Sequence, residues 1–376
     1  MSRLALLDLI SSQFPDTHLD NVQIIACQHL LGCTSILFDY FNSIGLNYEN
    51  TSLIGKCYST SLGVCERLSL LGSDVCPSSQ HFCSHLPFDY QFETNIEDFV
   101  NKRLDKLLDK SRKTIILDDG GHLIAKINEK IEDCSHIIGV EQTSSGFHML
   151  SNYNLKFPVI NIARAKTKLQ IEASFLSEGI VNRLETYLQM NNLSPKNVLV
   201  IGNGAMGINV ANVLKATYAV SIFDHEPSRS DISQKEFLSY LRNADIVIGA
   251  TGRTSLSKEL HTHLKPGTVL ASISSSDREF DAVHLRQKTA RTDHAHANLC
   301  INGIHLLNCG FPINFFGGLF GATPLEKIQL TLTLLFAGVC QANSLDLEKT
   351  PRTFIELDSK LEDLIETNIA SALAIS

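Results

Sequence analysis

Residues 198–207 read VLVIGNGAMG, an apolar run followed by a glycine-rich turn, and this segment constrains the fold more than any other. The apolar run predicts a buried parallel strand, and the helix-forming residues at 208–215 predict a helix directly after the turn. Gly202 permits a tight turn, and Gly204 lets the backbone approach a pyrophosphate. Gly207 lets the helix pack closely against the strand. The segment therefore predicts the first strand, turn and helix of a dinucleotide-binding fold.

A second apolar strand at 219–223 ends at Asp224, which lies 22 positions after Gly202. A carboxylate at about 20 positions binds a ribose hydroxyl of the cofactor in this kind of fold. The helix N-terminus, at Ala205 and Met206, offers unpaired N–H groups and a partial positive charge to the phosphates. This order of elements predicts a site for NAD, because Asp224 would repel the extra phosphate of NADP. The alternative is a structural turn that binds no cofactor.

The composition limits the class of protein. A chain of 376 residues exceeds the usual size of a single core, so we expect two domains. Its formal net charge of −8 argues against a nucleic-acid-binding surface, and no apolar run approaches the roughly 18 residues of a membrane helix. The ten cysteines lack C-x-x-C spacing and are typical of reduced thiols. We therefore expect a cytoplasmic protein that binds neither nucleic acid nor membrane.

Strands alternate with helices over most of the chain, which predicts an α/β fold with parallel sheets. We expect a Rossmann NAD-binding domain at 171–315, inserted in a second α/β domain that binds the substrate. The first segment of that substrate domain is 1–170. The C-terminal segment, 316–376, has helical apolar spacing from Phe354 onward and is expected to pack back on the substrate domain. An amphipathic helix is expected at 95–110.

Further signatures stand in a fixed order along the chain. They are ACQHLLGCT at 26–34, LDDGGHL at 117–123, GVEQTSSGFH at 139–148, PVINIARAKTKLQIEA at 158–173, the glycine turn, ATGRTSL at 250–256 and Asn308. Together they resemble adenosylhomocysteinase, the NAD-dependent family that cleaves S-adenosylhomocysteine to adenosine and homocysteine. The resemblance implies a homo-oligomeric enzyme with a small-molecule substrate, a nucleoside or a polyol.

The resemblance implies a role for four residues of the substrate domain. In the family, the ribose 3′-hydroxyl is oxidised transiently, and this acidifies the neighbouring C4′–H so that the thiol leaves by elimination. Such a cycle needs a group that assists proton removal from the alcohol and a tuned proton carrier near C4′. Lys168 matches the first group, with Glu172 orienting it and binding a ribose hydroxyl. His29 and Asp119 match the family's proton-handling pair.

The resemblance also implies contacts with the cofactor. Thr143 and Ser144 match residues that contact the nicotinamide and its ribose. Asn308 matches an asparagine that binds the nicotinamide amide. Thr251, in the signature at 250–256, completes the expected cofactor site.

Each catalytic candidate also has a purely structural interpretation. His29 precedes an apolar helix and suits a packed or capping histidine. Asp119 lies in a sequence that is typical of a turn. Lys168 and Glu172, four residues apart, suit an ordinary surface ion pair.

Two further histidines, His294 and His296, have the spacing of metal ligands. They lack acidic or cysteine partners that would complete a ligand set. A polar loop is therefore the better interpretation, and no metal ion is expected.

Several positions depart from the family, mainly on the side that faces adenine. Gln142 stands where the family has a glutamate, and Glu172 where it has the shorter aspartate. Leu31 replaces a polar group that contacts adenosine, and each buried purine group left without a partner costs about 1–3 kcal/mol. Ser275 cannot replace the imidazole of the family's Gly-His pair as a proton carrier. The loop at 309–318 replaces the segment that closes over the adenine.

Three functions stay open on the sequence alone. The expected one is an adenosylhomocysteinase-like enzyme that oxidises a secondary alcohol transiently and cleaves S-adenosylhomocysteine or a related nucleoside thioether. The altered adenine-facing positions favour an alternative, an NAD-dependent dehydrogenase or epimerase acting on a different small molecule. The third is a non-catalytic, regulatory NAD-binding protein. Retention of Lys168 argues against it, because a protein that only binds NAD needs no oxidation lysine.

Overall fold

The computed structural model describes residues 4–315 and 319–375, which form two compact units. The first unit contains the residues up to Gln80, Phe92–Glu172 and the residues from Pro324 onward. The second unit contains His81–Gln91 and Ala173–Thr323, so its main segment is inserted in the sequence of the first. Each unit has its own largely parallel sheet, which confirms the α/β fold class with an inserted Rossmann-like domain.

The strands and helices of both units are numbered in chain order. The strands are β1 (Val22–Cys27), β2 (Thr51–Ile54), β3 (Asp74–Val75), β4 (Lys113–Asp118), β5 (Ile137–Glu141), β6 (Val159–Asn161), β7 (Asn197–Ile201), β8 (Ala219–Phe223), β9 (Ile246–Gly249), β10 (Val269–Ser272), β11 (Leu299–Ile301), β12 (Ile304–Leu306) and β13 (Phe354–Glu356). The helices are α1 (Ala5–Ser11), α2 (Gly32–Ser43), α3 (Leu62–Leu70), α4 (Phe88–Asn101), α5 (Leu104–Leu108), α6 (His122–Lys130), α7 (Ser144–Leu150), α8 (Ala173–Met190), α9 (Ala205–Leu214), α10 (Phe237–Asn243), α11 (Ala282–Arg286), α12 (Leu325–Ser344) and α13 (Ser359–Ile375). None of the helices in the described part of the chain has the length and hydrophobicity that crossing a lipid bilayer requires.

The sheet of the first unit has the strand order β3-β2-β1-β4-β5-β6-β13, and every neighbouring pair is parallel. Strands β1 and β5 are buried along their whole length, as expected of a parallel sheet covered on both faces. From β1 the chain adds β2 and β3 on one side of the sheet, and β4, β5 and β6 on the other. The order therefore reverses between β1 and β4. In open α/β sheets, the carboxyl ends of the strands at such a point form a ligand crevice.

The sheet of the second unit has the order β8-β7-β9-β10-β12-β11, in which β11 pairs with β12 antiparallel and the other neighbours are parallel. One face of this sheet packs against α8 and α9, through Leu184 and Val210 on the helices and Val198 and Ile248 on the strands. The order reverses between β7 and β9. The glycine turn that follows β7 therefore lies at the corresponding crevice of this sheet.

The segment His81–Gln91 belongs to the second unit, whereas the sequence placed it in the domain at 1–170. The fully buried guanidinium of Arg286 accounts for this difference. Its nitrogens donate to the backbone oxygens of Ser84 at 2.6 Å and Leu86 at 3.1 Å, and to Asp277 Oδ2 at 2.6 Å. A buried charge needs such partners, and here two of them come from the segment.

The amphipathic helix expected at 95–110 is divided into α4 and α5. The break occurs at Arg103, whose backbone leaves the helical conformation at φ −122° and ψ 18°. Its side chain turns inward and donates to Phe99 O at 3.2 Å and to Asp74 Oδ1 at 2.6 Å. Partners within the first unit therefore override the helical periodicity of the sequence.

The helix expected from Phe354 onward is wrong at its start, because Phe354–Glu356 forms β13. This strand pairs in parallel with β6, with Phe354 opposite Val159. The Phe354 ring packs against Phe147, with the ring centroids 4.9 Å apart. The last helix begins only at Ser359.

Candidate functional site

The crevice of the first sheet holds His29 and Asp119. His29 lies two residues beyond β1, and Asp119 directly follows β4. His29 Nε2 lies 3.3 Å from Asp119 Oδ2, and His29 Nδ1 lies 2.5 Å from Ser59 Oγ. The fold thus brings together two residues that are 90 positions apart in the sequence.

Two further side chains contact the Asp119 carboxylate. Lys56 Nζ donates to Oδ1, and Gln142 Nε2 donates to Oδ2. Lys56 and Asp119 each have only 5% of their side-chain surface exposed. Gln142 Oε1 is buried and has no donor among the described residues. Lys56 was not predicted from the sequence, where the available signal was a single lysine two residues beyond a buried strand.

The opposite charges of Asp119 and Lys56 stabilise each other at this crevice. Burial alone would raise the pKa of Asp119, but the nearby His29 and the Lys56 charge together lower it well below its usual range. Burial alone would lower the pKa of Lys56, but the Asp119 charge outweighs burial and raises it. The lysine and the aspartate therefore form a fully ionised pair inside the unit.

A second pair of carboxyls, Asp118 and Glu141, lies fully buried at the ends of β4 and β5. Burial raises the pKa of both groups, that of Asp118 to about 7. The charge of Asp119 adds to the rise at Asp118, and the charge of Asp118 adds to the rise at Glu141. Glu141 Oε1 accepts from Thr143 N and from Thr143 Oγ1, both at 2.7 Å, and from Gly120 N at 3.2 Å. Glu141 therefore holds both Thr143 and the turn that follows Asp119.

Thr143 and Ser144, expected to contact the cofactor, begin helix α7. Thr143 is its N-cap residue, and its Oγ1 accepts from Gly146 N at 2.9 Å. The Thr143 hydroxyl is thus committed to local structure. Ser144 is exposed on the first turn of the helix.

Lys168 and Glu172 lie in a wide, π-helical turn that leads into α8. Lys168 Nζ is 2.5 Å from Glu172 Oε1. The same Glu172 oxygen accepts from Thr331 Oγ1 of α12 at 2.6 Å. The two charged side chains have only 11% and 19% of their surfaces exposed, so this pair is not an ordinary surface ion pair.

In the second unit the glycine turn has the geometry that its sequence predicts. Gly202 has φ +107°, and a Cβ there would lie 2.7 Å from Ala250 O. A Cβ on Gly207 would collide with Gly202 O, whereas a Cβ on Gly204 would meet only open space. Steric limits therefore explain the first and third glycines, and the open space at the second leaves room for a pyrophosphate.

Asp224 lies at the end of β8, beside this turn. Its Oδ2 accepts from Asn203 N at 2.7 Å and its Oδ1 from Glu226 N at 3.0 Å. Burial alone would raise the pKa of Asp224, but these backbone N–H groups lower it. Helix α9 begins at Ala205, which is exposed, while Met206 packs on the core. An ionised carboxylate beside an open helix N-terminus fits the ribose and pyrophosphate of a dinucleotide.

Thr251 follows β9 and is held by Glu279, a residue that the sequence analysis missed. The backbone N–H groups of Thr251 and Gly252 donate to Glu279 Oε1 at 2.6 Å each. Thr251 Oγ1 donates to Oε2 at 2.9 Å, and Ser274 Oγ donates to Oε1. Glu279 is fully buried and thus fixes this loop at the crevice between β7 and β9.

Asn308 is buried at φ +46° and holds its own loop. Its Nδ2 donates to the backbone oxygens of Pro312 and Phe315, and its Oδ1 has no donor among the described residues. Of the loop at 309–318, residues 316–318 lie outside the described part of the chain.

The histidine pair does not form a metal centre in the described residues. His296 Nδ1 lies 3.2 Å from Phe315 O, and burial lowers the pKa of His296. Within 4–315 and 319–375, no three His, Cys, Asp or Glu side chains are grouped as metal ligands would be.

Comparison with known families identifies the second unit. Residues 190–284 match the model of a family described as putative NAD(P)-binding. The chain therefore contains an NAD(P)-binding domain, and the expectation of a nicotinamide cofactor is confirmed.

Similarity to whole proteins extends over both units. An uncharacterised protein of Mycobacterium tuberculosis is 35% identical over 339 residues. The match covers 87% of this chain and 65% of that protein, so the chain spans less than two thirds of the relative. Adenosylhomocysteinase of Acinetobacter baylyi is 25% identical over 319 residues, covering 75% of this chain and 64% of that protein. A distant relationship to adenosylhomocysteinases is thus confirmed.

Solved structures with a similar arrangement of elements are more distant in sequence. A subunit of dipicolinate synthase from Bacillus halodurans aligns at 12% identity with a TM-score of 0.45, over 87% of this chain and 99% of that chain.

Proposed function

We propose that this protein is an adenosylhomocysteinase-like enzyme that oxidises a secondary alcohol transiently, with S-adenosylhomocysteine or a related nucleoside thioether as substrate. The observation that carries the proposal is the His29–Asp119 pair at the crevice of the first sheet. The family resemblance assigns proton handling to these two positions. Their distance of 3.3 Å supports that assignment, because a proton carrier needs a partner that orients it.

The second unit supports the cofactor half of the proposal. Bound NAD would supply the acceptor for a hydride from the alcohol. The open space at Gly204 and the helix N-terminus at Ala205 would hold the pyrophosphate, and the Asp224 carboxylate would accept from a ribose hydroxyl. A 2′-phosphate would meet this carboxylate, so we expect NAD to bind more tightly than NADP.

Residues of the first unit would transfer the protons of the reaction. Lys168 would assist proton removal from the alcohol, while Glu172 keeps its ammonium in place with help from Thr331. His29 would carry the proton from the carbon next to the oxidised position, with Asp119 as its fixed partner. Thr143 and Ser144 would contact the nicotinamide end of the cofactor, as would Asn308, and Thr251 would complete the cofactor site.

A dehydrogenase or epimerase that uses only the oxidation step is the second candidate. It is favoured by the segment after β10, where Ser274 is bonded to the buried Glu279 and Ser275 is exposed. Neither serine offers an imidazole. The neutral Gln142 beside Asp119 also favours this second candidate, because it lacks the charge of the glutamate in the resembling family.

The test begins with mass spectrometry of small molecules released by denaturing the purified protein. NAD is expected, and the absence of any nucleotide together with no affinity for NAD on titration would contradict the proposal. S-adenosylhomocysteine is then added to the NAD-loaded protein and free thiol is measured. A hydrolase releases thiol without net NADH, whereas a dehydrogenase accumulates NADH without thiol. His29→Ala should abolish thiol release, and His18→Ala, an exposed histidine of the same unit, should not.

A further inference from the structure

Both ring nitrogens of His29 have polar partners, and the two partners differ in what they can do. Asp119 lies at Nε2, and the Ser59 hydroxyl lies at Nδ1. A hydroxyl can donate or accept, but an ionised carboxylate can only accept. The charge state of Asp119 therefore decides which nitrogen of His29 carries the proton.

The contacts of Asp119 show that its carboxylate is an acceptor throughout. Lys56 donates to Oδ1, and the Gln142 amide donates to Oδ2. An ammonium group has only donors. His29 Nε2 must consequently donate to Asp119 Oδ2, which leaves the Nδ1 lone pair to accept from the Ser59 hydroxyl.

The charge of Lys56 has a second consequence for the imidazole. A single carboxylate 3.3 Å from Nε2 would favour a doubly protonated, cationic His29. The buried Lys56 ammonium cancels this charge on the other oxygen of the same carboxylate. The Lys56–Asp119 pair is neutral as a whole, so the histidine has no net negative charge to balance.

We propose that Lys56 is a positioning residue that keeps His29 neutral, with its proton on Nε2 and its basic nitrogen turned to Ser59. Its catalytic consequence rests on the proposed function, although the protonation state itself does not. When Nδ1 takes a proton from a substrate, the Ser59 hydroxyl gives up its donated hydrogen bond to that nitrogen. The resulting imidazolium is then held by Asp119, and the electron pair remains on the substrate.

The other groups near His29 carry no charge that could replace the charge of Lys56. Tyr58 is fully buried, and its ring centroid is 6.2 Å from that of His29. The thiol of Cys27 lies near the turn after β4, and burial raises its pKa, so it stays uncharged. Asp118 and Glu141 also interact with Asp119, but burial raises the pKa of both carboxyls, so Lys56 is the cation to vary.

The experiment uses the full-length protein with 15N-labelled histidine and long-range proton–nitrogen NMR spectra at pH 7.5. His29→Gln identifies the signals of His29 by their loss. In the parent protein, we expect a neutral imidazole protonated at Nε2. In Lys56→Gln, which keeps a hydrogen-bond donor and removes the charge, we expect the doubly protonated imidazolium. Lys56→Arg should restore the parent spectrum.

Lys110→Gln is the matched control, since Lys110 also pairs with an aspartate, Asp133, but at the surface of the same unit. It should leave the His29 signals unchanged. A parent His29 that is cationic or protonated at Nδ1 would overturn the proposal, as would an unchanged spectrum in Lys56→Gln.

If Lys56→Gln does not fold, the comparison moves to a background without the buried carboxylate. His29 should then take up its second proton at lower pH in Asp119→Asn than in the Asp119→Asn/Lys56→Gln double variant. If His29 takes up its second proton at the same pH in both variants, the proposed role of Lys56 is overturned. None of these spectra depends on NAD binding or turnover, so failure of the proposed function is recognised separately.

Discussion

Thr331 Oγ1 donates a 2.6 Å hydrogen bond to Glu172 Oε1, and this links helix α12 to the turn that carries Lys168. The same Glu172 oxygen is 2.5 Å from Lys168 Nζ. Glu172 therefore has two partners from different segments of the first unit. The contact gives a buried threonine hydroxyl a role in holding the proposed oxidation lysine.

Thr331→Val is expected to lower both turnover and stability. It removes one hydrogen bond to a charged group, which contributes about 1.5–3 kcal/mol. The oxidation rate should fall about tenfold, because Glu172 then holds Lys168 less firmly. Thr333→Val is the control, since Thr333 Oγ1 donates to Gln329 O within α12. Equal rates for the two variants, in single-turnover measurements, would remove Thr331 from the account.

Glu279→Gln should weaken NAD binding in the second unit. The buried carboxylate accepts from two backbone N–H groups of the Thr251 loop, and an amide offers its N–H₂ group to some of these donors. A buried donor left without an acceptor costs about 1–3 kcal/mol, so the dissociation constant should rise about tenfold or more. Calorimetric titration with NAD measures this. Glu259→Gln, at an exposed position, should bind NAD like the parent.

The buried pair Asp118 and Glu141 makes stability depend on pH. Burial raises the pKa of Asp118 to about 7, whereas an unfolded aspartate titrates near about 3.9. Between these values the folded protein keeps a proton that the unfolded chain has released. The contribution of Asp118 to the free energy of unfolding should therefore fall by about 1.4 kcal/mol per pH unit as pH rises through this window, and level off above it.

Asp118→Asn removes this contribution, so its stability relative to the parent should increase from pH 5 to pH 7. Urea unfolding at several pH values measures the difference. Asp133→Asn is the control, because the pKa of the exposed Asp133 is lowered and lies outside the window. Parallel curves for the parent and Asp118→Asn would refute the assignment of the proton to this pair.

Arg286→Met is expected to release the segment His81–Gln91 within the second unit. It leaves the buried Asp277 carboxylate without its arginine, and breaking a buried ion pair costs about 3–5 kcal/mol. Limited proteolysis should cut the segment faster in this variant. Arg291→Met, which removes an exposed arginine that reaches His85, should not change the cutting rate. Identical digestion patterns would show that Arg286 does not anchor the segment.

The sequence predicted those parts of the fold and site that depend on neighbouring residues. The turn at Gly202 and Gly207 follows from steric limits that act within a few positions. Strand β8 lies at 219–223, where its apolar run predicts it, and Asp224 follows it directly.

The missed features depend on contacts between distant segments. Lys56 and Glu279 acquire their surroundings only when separate strand ends meet in a sheet. Strand β13 forms because β6 offers an edge, and this pairing overrides the helical spacing of its apolar residues. The periodicity of apolar residues therefore predicted individual strands and helices. The partners of buried charged side chains depend on which strands are neighbours in a sheet, and the periodicity does not give that.

The most direct test of transient alcohol oxidation is the absorbance at 340 nm after adenosine is mixed with the NAD-loaded protein. The proposal predicts a rise equivalent to a fraction of the bound cofactor in the parent, and a rise at least about tenfold slower in Lys168→Met. Lys110→Met should behave like the parent. No absorbance change in an NAD-loaded parent, with adenosine and with S-adenosylhomocysteine, would contradict the account.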